Sequence, residues 1–233
     1  MVHTGLLFGS FNPIHIGHVA IAGYMKEFAG MEEIWFIVSP QNPHKSKEQL
    51  ATPAARLNMV RLALENYPSF KVSDIEFGMP VPSYTLDTMM KLNTLYADRD
   101  FHLIIGTDNI DSISHWKGSE ILLKEYKFLI YPRLISGLEK RVSGNKKSCQ
   151  DKLSKFNESE NSRSDSAISP PNSKNYLQVL DDSGIFENAK FVDAPVIEIS
   201  SSFIRNAIKE SKDMQAFMPA RAYDYLVKNR LYK

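Results

Sequence analysis

Two histidines three residues apart, His15 and His18, sit in the run Gly9-Ser10-Phe11-Asn12-Pro13-Ile14-His15-Ile16-Gly17-His18. The apolar stretch Leu6-Leu7-Phe8 precedes it, so a buried strand is expected to end in a tight turn and open a helix that carries both imidazoles at its entrance. The first turn of a helix leaves amide N–H groups unpaired and holds partial positive charge, which suits phosphate. Gly9, Ser10 and Gly17 are small enough to let a ligand approach the backbone. Residues three apart share a helix face, and both imidazoles can donate to phosphate oxygens. Near the other end of the chain, Ile199-Ser200-Ser201-Ser202-Phe203-Ile204-Arg205 repeats the arrangement. Ser200 or Ser201 serves as N-cap, and Arg205 adds the planar fork that matches phosphate. Two anion-seeking helix starts in one chain point to chemistry on a polyphosphate.

The elements that must carry these residues alternate. Apolar runs at Thr4–Phe8, Glu33–Val38, Phe70–Val72, Phe101–Ile105, Lys127–Tyr131 and Lys190–Val192 read as strands. Between and after them, Val19–Phe28, Pro53–Asn66, Leu86–Tyr96, Ser119–Lys124, Ser202–Lys209 and Ala220–Asn229 read as helices. Thr52 before Pro53 is a start signal, an N-cap followed by proline at the first helical position. The pattern predicts an α/β fold, a doubly wound, Rossmann-like parallel sheet with helices on both faces. In such a sheet ligands bind beyond the carboxyl ends of the strands. Gly9, the segment Ser39–Lys45 and the segment Gly106–Asn109 all follow strands and should converge on one cleft.

With 233 residues, 43% of them hydrophobic, the chain can bury one full core, and a single domain over 1–233 is expected. The net charge of +1 argues against a nucleic-acid partner. Cys149 is the single cysteine, which excludes an intrachain disulfide and a four-cysteine zinc site. No apolar run is long enough to span a membrane, and Met1-Val2-His3-Thr4 lacks the form of a signal peptide, so a cytoplasmic setting is expected. Residues 136–175 are rich in Ser, Asn, Lys and Glu and poor in aliphatic residues; they read as a flexible insertion whose basic cluster is solvated. Whether the chain forms a homo-oligomer is left open.

The two motifs resemble the GxFxPxHxGH and ISSTxIR signatures of the nucleotidyltransferase superfamily, with Ser202 standing where threonine is usual. Three middle segments narrow the resemblance. Pro43-His44-Lys45 resembles a PHK segment, Ser83-Tyr84-Thr85-Leu86-Asp87-Thr88-Met89 resembles SYTxDTL, and Ile105-Gly106-Thr107-Asp108-Asn109 resembles IGxD. His115-Trp116 resembles an HKW-type segment that here lacks the intervening lysine. All are found in bacterial nicotinate-nucleotide adenylyltransferases, and the resemblance covers Gly5–Arg133 and Lys190–Tyr232 but not the insertion.

That resemblance implies transfer of the AMP moiety of ATP to nicotinate mononucleotide, giving deamido-NAD and pyrophosphate. The nucleophile would be a phosphate oxygen, already largely ionised at neutral pH, so no general base is required. ATP would contact Gly9, Ser10, Phe11, His15, His18, Gly106, Asp108, Ile199, Ser201, Ser202 and Arg205. The mononucleotide would contact Ser10, Lys45, Tyr84, Thr85 and Trp116. His15, His18, Lys45 and Arg205 would carry the catalysis, with Mg²⁺ arriving on ATP rather than in a dedicated protein cage. Physically, Thr85 reads as a helix cap beside a site for a carboxylate, Trp116 as a stacking face, and Asp108 as an acceptor for ribose hydroxyls. Two alternatives stand beside this reading: a nicotinamide-mononucleotide adenylyltransferase, and a non-catalytic nucleotide-binding regulator.

Overall fold

Strands buried on both faces read as unbroken apolar runs, and this chain folds accordingly. The computed structural model describes residues 1–41, 50–133 and 188–233. Six strands form one parallel sheet: β1 Val2–Gly9, β2 Glu33–Val38, β3 Phe70–Ser73, β4 Arg99–Gly106, β5 Lys127–Tyr131 and β6 Ala189–Phe191. Their spatial order is β3-β2-β1-β4-β5-β6, so the winding reverses direction between β1 and β4. The crevice that a doubly wound sheet offers to ligands therefore opens beyond Gly9 and Gly106.

The helices are α1 Ile16–Phe28, α2 Pro53–Leu64, α3 Thr85–Leu95, α4 Ile110–Ile113, α5 Ser119–Glu125, α6 Ser201–Lys209 and α7 Ala220–Lys228. Alternate side chains of each strand feed two separate cores. Leu7, Phe36, Val38, Ile104 and Leu129 pack with residues of α1, α2, α6 and α7. Leu6, Trp35, Ile37, Leu103 and Phe128 pack with α3, α4 and α5 on the opposite face. Fully buried side chains such as Leu6, Phe36 and Met59 each contribute about 1.5–3 kcal/mol relative to exposure.

Thr52 caps α2 as expected, its hydroxyl accepting from the Ala55 amide at 3.2 Å. Other boundaries move. Helix α1 begins at Ile16 rather than Val19, which makes His15 its N-cap and places His18 in the first turn. Thr85 is not a cap: Tyr84 holds that position, and Thr85 is the first helical residue of α3. The reason lies in the Thr88 amide, which donates to the Tyr84 carbonyl at 3.1 Å and so starts the helix one residue early. Lys45 and the insertion at 136–175 lie outside the described residues.

Candidate active site

The turn after β1 is built around an aromatic pedestal. Phe11 is 2% exposed, with φ of +44°, and its ring meets His18 edge-on with centroids 5.1 Å apart. A Cβ on Gly9 would stand 3.0 Å from that ring, so Gly9 makes room for Phe11. Phe11 supports the loop and lines neither of the cavities described below. Gly17 has a similar task, since a Cβ there would press on the His15 ring at 3.0 Å.

His15 and His18 are stacked, with ring centroids 3.7 Å apart and planes 30° apart. The His15 amide donates to His18 Nδ1 at 3.2 Å. With Nδ1 accepting, the proton of neutral His18 belongs on Nε2, a tautomer inferred from this bond. His15 is 4% exposed, and its Nδ1 is buried without a hydrogen-bond partner among the described residues. Burial, helped by the Arg133 charge, lowers its pKa from 6.5 to about 3, so it is neutral at physiological pH.

That shift predicts a pH dependence of stability. On acidification the unfolded chain takes up this proton from 6.5 downward, while folded His15 holds out to about 3. Stability is therefore full above 6.5 and lost progressively below it, by about 2 kcal/mol at pH 5. Burial also lowers the pKa of His102, which acts in the same sense. Thermal melts of the native chain and His15→Gln at pH 7.5 and 5 check this. Equal pH dependence in the two would refute the assignment to His15.

Helix α6 is stitched to the same loop from nearly the other end of the sequence. Ser200 is its N-cap, accepting from the Phe203 amide at 3.1 Å. The Ser201 hydroxyl donates to the Pro13 carbonyl at 2.8 Å. Arg205 donates to the Asn12 carbonyl at 2.8 Å and to Ser202 Oγ at 3.1 Å. Asn12 Oδ1 in turn accepts from the Ala51 amide at 3.0 Å and from the Tyr232 hydroxyl at 2.7 Å. Burial drives the Tyr232 pKa upward, so the phenol remains a donor.

Beneath the loop lies Arg56, fully buried on α2. It donates to four main-chain carbonyls: Ser10 at 2.6 Å, Ser39 and Pro40 at 2.7 Å, and Ala51 at 3.1 Å. The ends of β1 and β2 are thus tied to one guanidinium.

Two cavities flank the end of β1. The larger, about 310 Å³, lies between the two helix starts and is lined by Ser10, Asn12, His15, His18, Ser200, Ser201, Ser202 and Arg205, with Leu50 and Arg133. The described residues lining it include two arginines and no carboxylate. A magnesium ion held by the protein would want oxygen ligands of the carboxylate kind, so this wall fits an anion and does not fit a protein-held cation. The one cluster of metal-capable side chains found among the described residues, His3, Asp100 and His102, lies at the opposite end of β1 and β4, where the Lys127 ammonium already contacts Asp100 at 2.7 Å.

The smaller cavity, about 170 Å³, is lined by Tyr84, Thr85, Trp116, Gly9, Phe8 and Ser39, together with Glu76, Ser83, Asn109, His115 and Lys117. Of the expected contacts, the structure gathers His15, His18, Ser201, Ser202 and Arg205 at the first cavity and Tyr84, Thr85 and Trp116 at the second. Ser10 borders the first cavity and Gly9 the second. Ile199 lies in a small recess beside His15, and Asp108 pairs with Arg133 at 3.6 Å. Gly106 lines neither cavity; a Cβ there would meet Asp108 Oδ1.

Sequence reading passed over Arg56, Glu76 and Arg133. For Arg56 a signal existed. It falls on the stripe of Met59, Val60 and Ala63, where a charge on an apolar helix face calls for a buried partner.

A reversal-point crevice between two anion-seeking helix starts defines an α/β protein of the nucleotidyltransferase class. The chain belongs to the Cytidylyltransferase-like family, whose model matches residues 6–207. A probable nicotinate-nucleotide adenylyltransferase of Bacteroides thetaiotaomicron is 39% identical over 223 residues, covering 96% of this chain and 90% of the relative. Its counterpart in Flavobacterium johnsoniae is 37% identical over 229 residues and 98% of both chains. Among solved structures, the fold is shared with Plasmodium falciparum nicotinic acid mononucleotide adenylyltransferase complexed with NaAD, at a TM-score of 0.70 and 20% identity over 100% of this chain and 98% of that one. No helix among the described residues is long and apolar enough to cross a membrane.

Proposed function

We propose that the chain is a nicotinate-nucleotide adenylyltransferase of NAD biosynthesis, acting as one domain over 1–233 in the cytoplasm. The observation that carries this is the pair of cavities on either side of the β1 end, one cationic and flanked by imidazoles, one aromatic. The names of the relatives support it.

MgATP occupies the larger cavity as substrate and brings its own cation. Nicotinate mononucleotide lies in the smaller one, its pyridine against Trp116 and its carboxylate at the start of α3. A phosphate oxygen of the mononucleotide attacks the α-phosphorus of ATP, the new P–O bond forms, and the bond to the β-phosphate breaks to release pyrophosphate. The attacking oxygen is already ionised, so the protein's task is to align two polyanions and stabilise developing charge. His18 donates from Nε2 to the α-phosphate, and neutral His15 orients it by stacking and by its amide. The leaving pyrophosphate meets Arg205, Ser202 and the open amides of α6. The Ser201 hydroxyl is committed to Pro13, so Ser201 contributes its amide. Lys45, outside the described residues, is proposed to add a further positive charge. The chemistry needs no nucleic-acid partner.

Pyrophosphate release with MgATP, comparing nicotinate and nicotinamide mononucleotides at equal concentration, tests the proposal. Strong preference for the acid is the expected result. Preference for the amide would overturn the substrate, and no turnover with either would overturn the enzymatic reading.

A further inference from the structure

The acid and amide mononucleotides differ by one negative charge, so a positive charge in the pocket adds to the preference that the start of α3 already gives the acid. We propose that Lys117 is that charge, the specificity-determining cation of the smaller cavity; the assignment rests on the function proposed above. Lys117 is the one lysine or arginine among the described residues lining this cavity. Its ammonium stands 4.7 Å from the Tyr84 ring centroid and 2.9 Å from Asp87 Oδ2. Tyr84 is the N-cap of α3, and Asp87 lies in its first turn. The cation is therefore held beside the helix start that faces the pocket.

That is an unfavourable place for a lysine, because a helix N-terminus carries partial positive charge. Asp87 offsets the conflict, but the pair is largely exposed, at 54% and 40%, and so adds little to stability. The placement is nevertheless fixed. Gly118 has φ of +68°, and a Cβ there would lie 2.2 Å from Leu86 Cδ2, so the Trp116-Lys117-Gly118 turn is seated directly on α3. The stacking face and the cation consequently share one rigid mount.

The pocket's other charge makes the need plain. Glu76 is 2% exposed, lines the same cavity, and accepts from Ser83 Oγ at 2.5 Å and Thr88 Oγ1 at 3.0 Å. Without Lys117, a carboxylate ligand would face a buried carboxylate with no lysine or arginine among the described residues of the wall.

The test compares the native chain with Lys117→Met and Lys117→Arg, measuring kcat/KM for both mononucleotides at low and high salt. For Lys117→Met the expected result is a fall of about 10- to 30-fold with the acid, carried in KM, and less than about two-fold with the amide. Lys117→Arg should keep most of the preference for the acid. That preference should weaken with salt in the native chain and be insensitive to it in Lys117→Met. An unchanged acid-to-amide ratio in Lys117→Met, or an equal loss with both substrates, would overturn the proposal while leaving the proposed activity intact. A native chain that prefers the amide, or turns over neither, would overturn the underlying substrate reading and this assignment with it.

Discussion

His18→Ala is expected to lower kcat by about 10²–10³, with the KM values changed far less and the fold retained. His18 borders the larger cavity beside His15, and its Nδ1 is engaged by the His15 amide, so its ring is held in a fixed direction. A donor fixed in this way need not reorganise as charge develops on the α-phosphate, which is why its loss should appear in kcat. The side chain is only partly buried, and Phe11 and His15 remain to hold the loop, so thermal stability should fall by no more than a few degrees. Single-turnover kinetics beside a melting curve would decide the matter. Turnover near that of the native chain would remove His18 from the mechanism.

The second large effect is on stability. Arg56→Met leaves a side chain of similar length in a site at 0% exposure, but it deprives four carbonyls of their donor. Each unsatisfied buried acceptor costs about 1–3 kcal/mol, with some relief where the chain can turn toward water. A net loss of about 3–5 kcal/mol is expected, measured as the midpoint and slope of urea unfolding. Because Ser10 and Ser39 end adjacent strands at the site, the surviving folded fraction should also bind both substrates more weakly. Loss of less than about 1 kcal/mol would show that the loops hold one another without the guanidinium.

Much of this was legible in the residues. The bounds of β2 and β5 follow from their apolar runs, since a strand covered on both faces has no other pattern to offer. The two motifs at Gly9–His18 and Ile199–Arg205 converge because a doubly wound sheet leaves one crevice for both. The start of α3 was misplaced because a hydroxyl residue is the usual cap, whereas the Thr88 amide bonds to the Tyr84 carbonyl and makes Tyr84 the cap. Phe11 was read as a ligand contact because it stands inside the motif, and only the packed structure shows its ring turned under the loop, against Gly9 and His18. Glu76 was passed over for a related reason: its partners Ser83 and Thr88 are 7 and 12 residues away, beyond any local rule.

The Asn12 side chain is held by Tyr232, 220 residues later in the chain. During synthesis the loop after β1 thus waits for a group 220 residues further along the chain before it is locked. Until Tyr232 has emerged and α7 has docked on α2, a nascent chain carries its histidines on a loop without its final brace, so products stopped short of this residue should capture little nucleotide. A label fused directly after Tyr232 would press on the same brace, whereas one placed at the exposed Met1, at the opposite end of β1 from the site, would not.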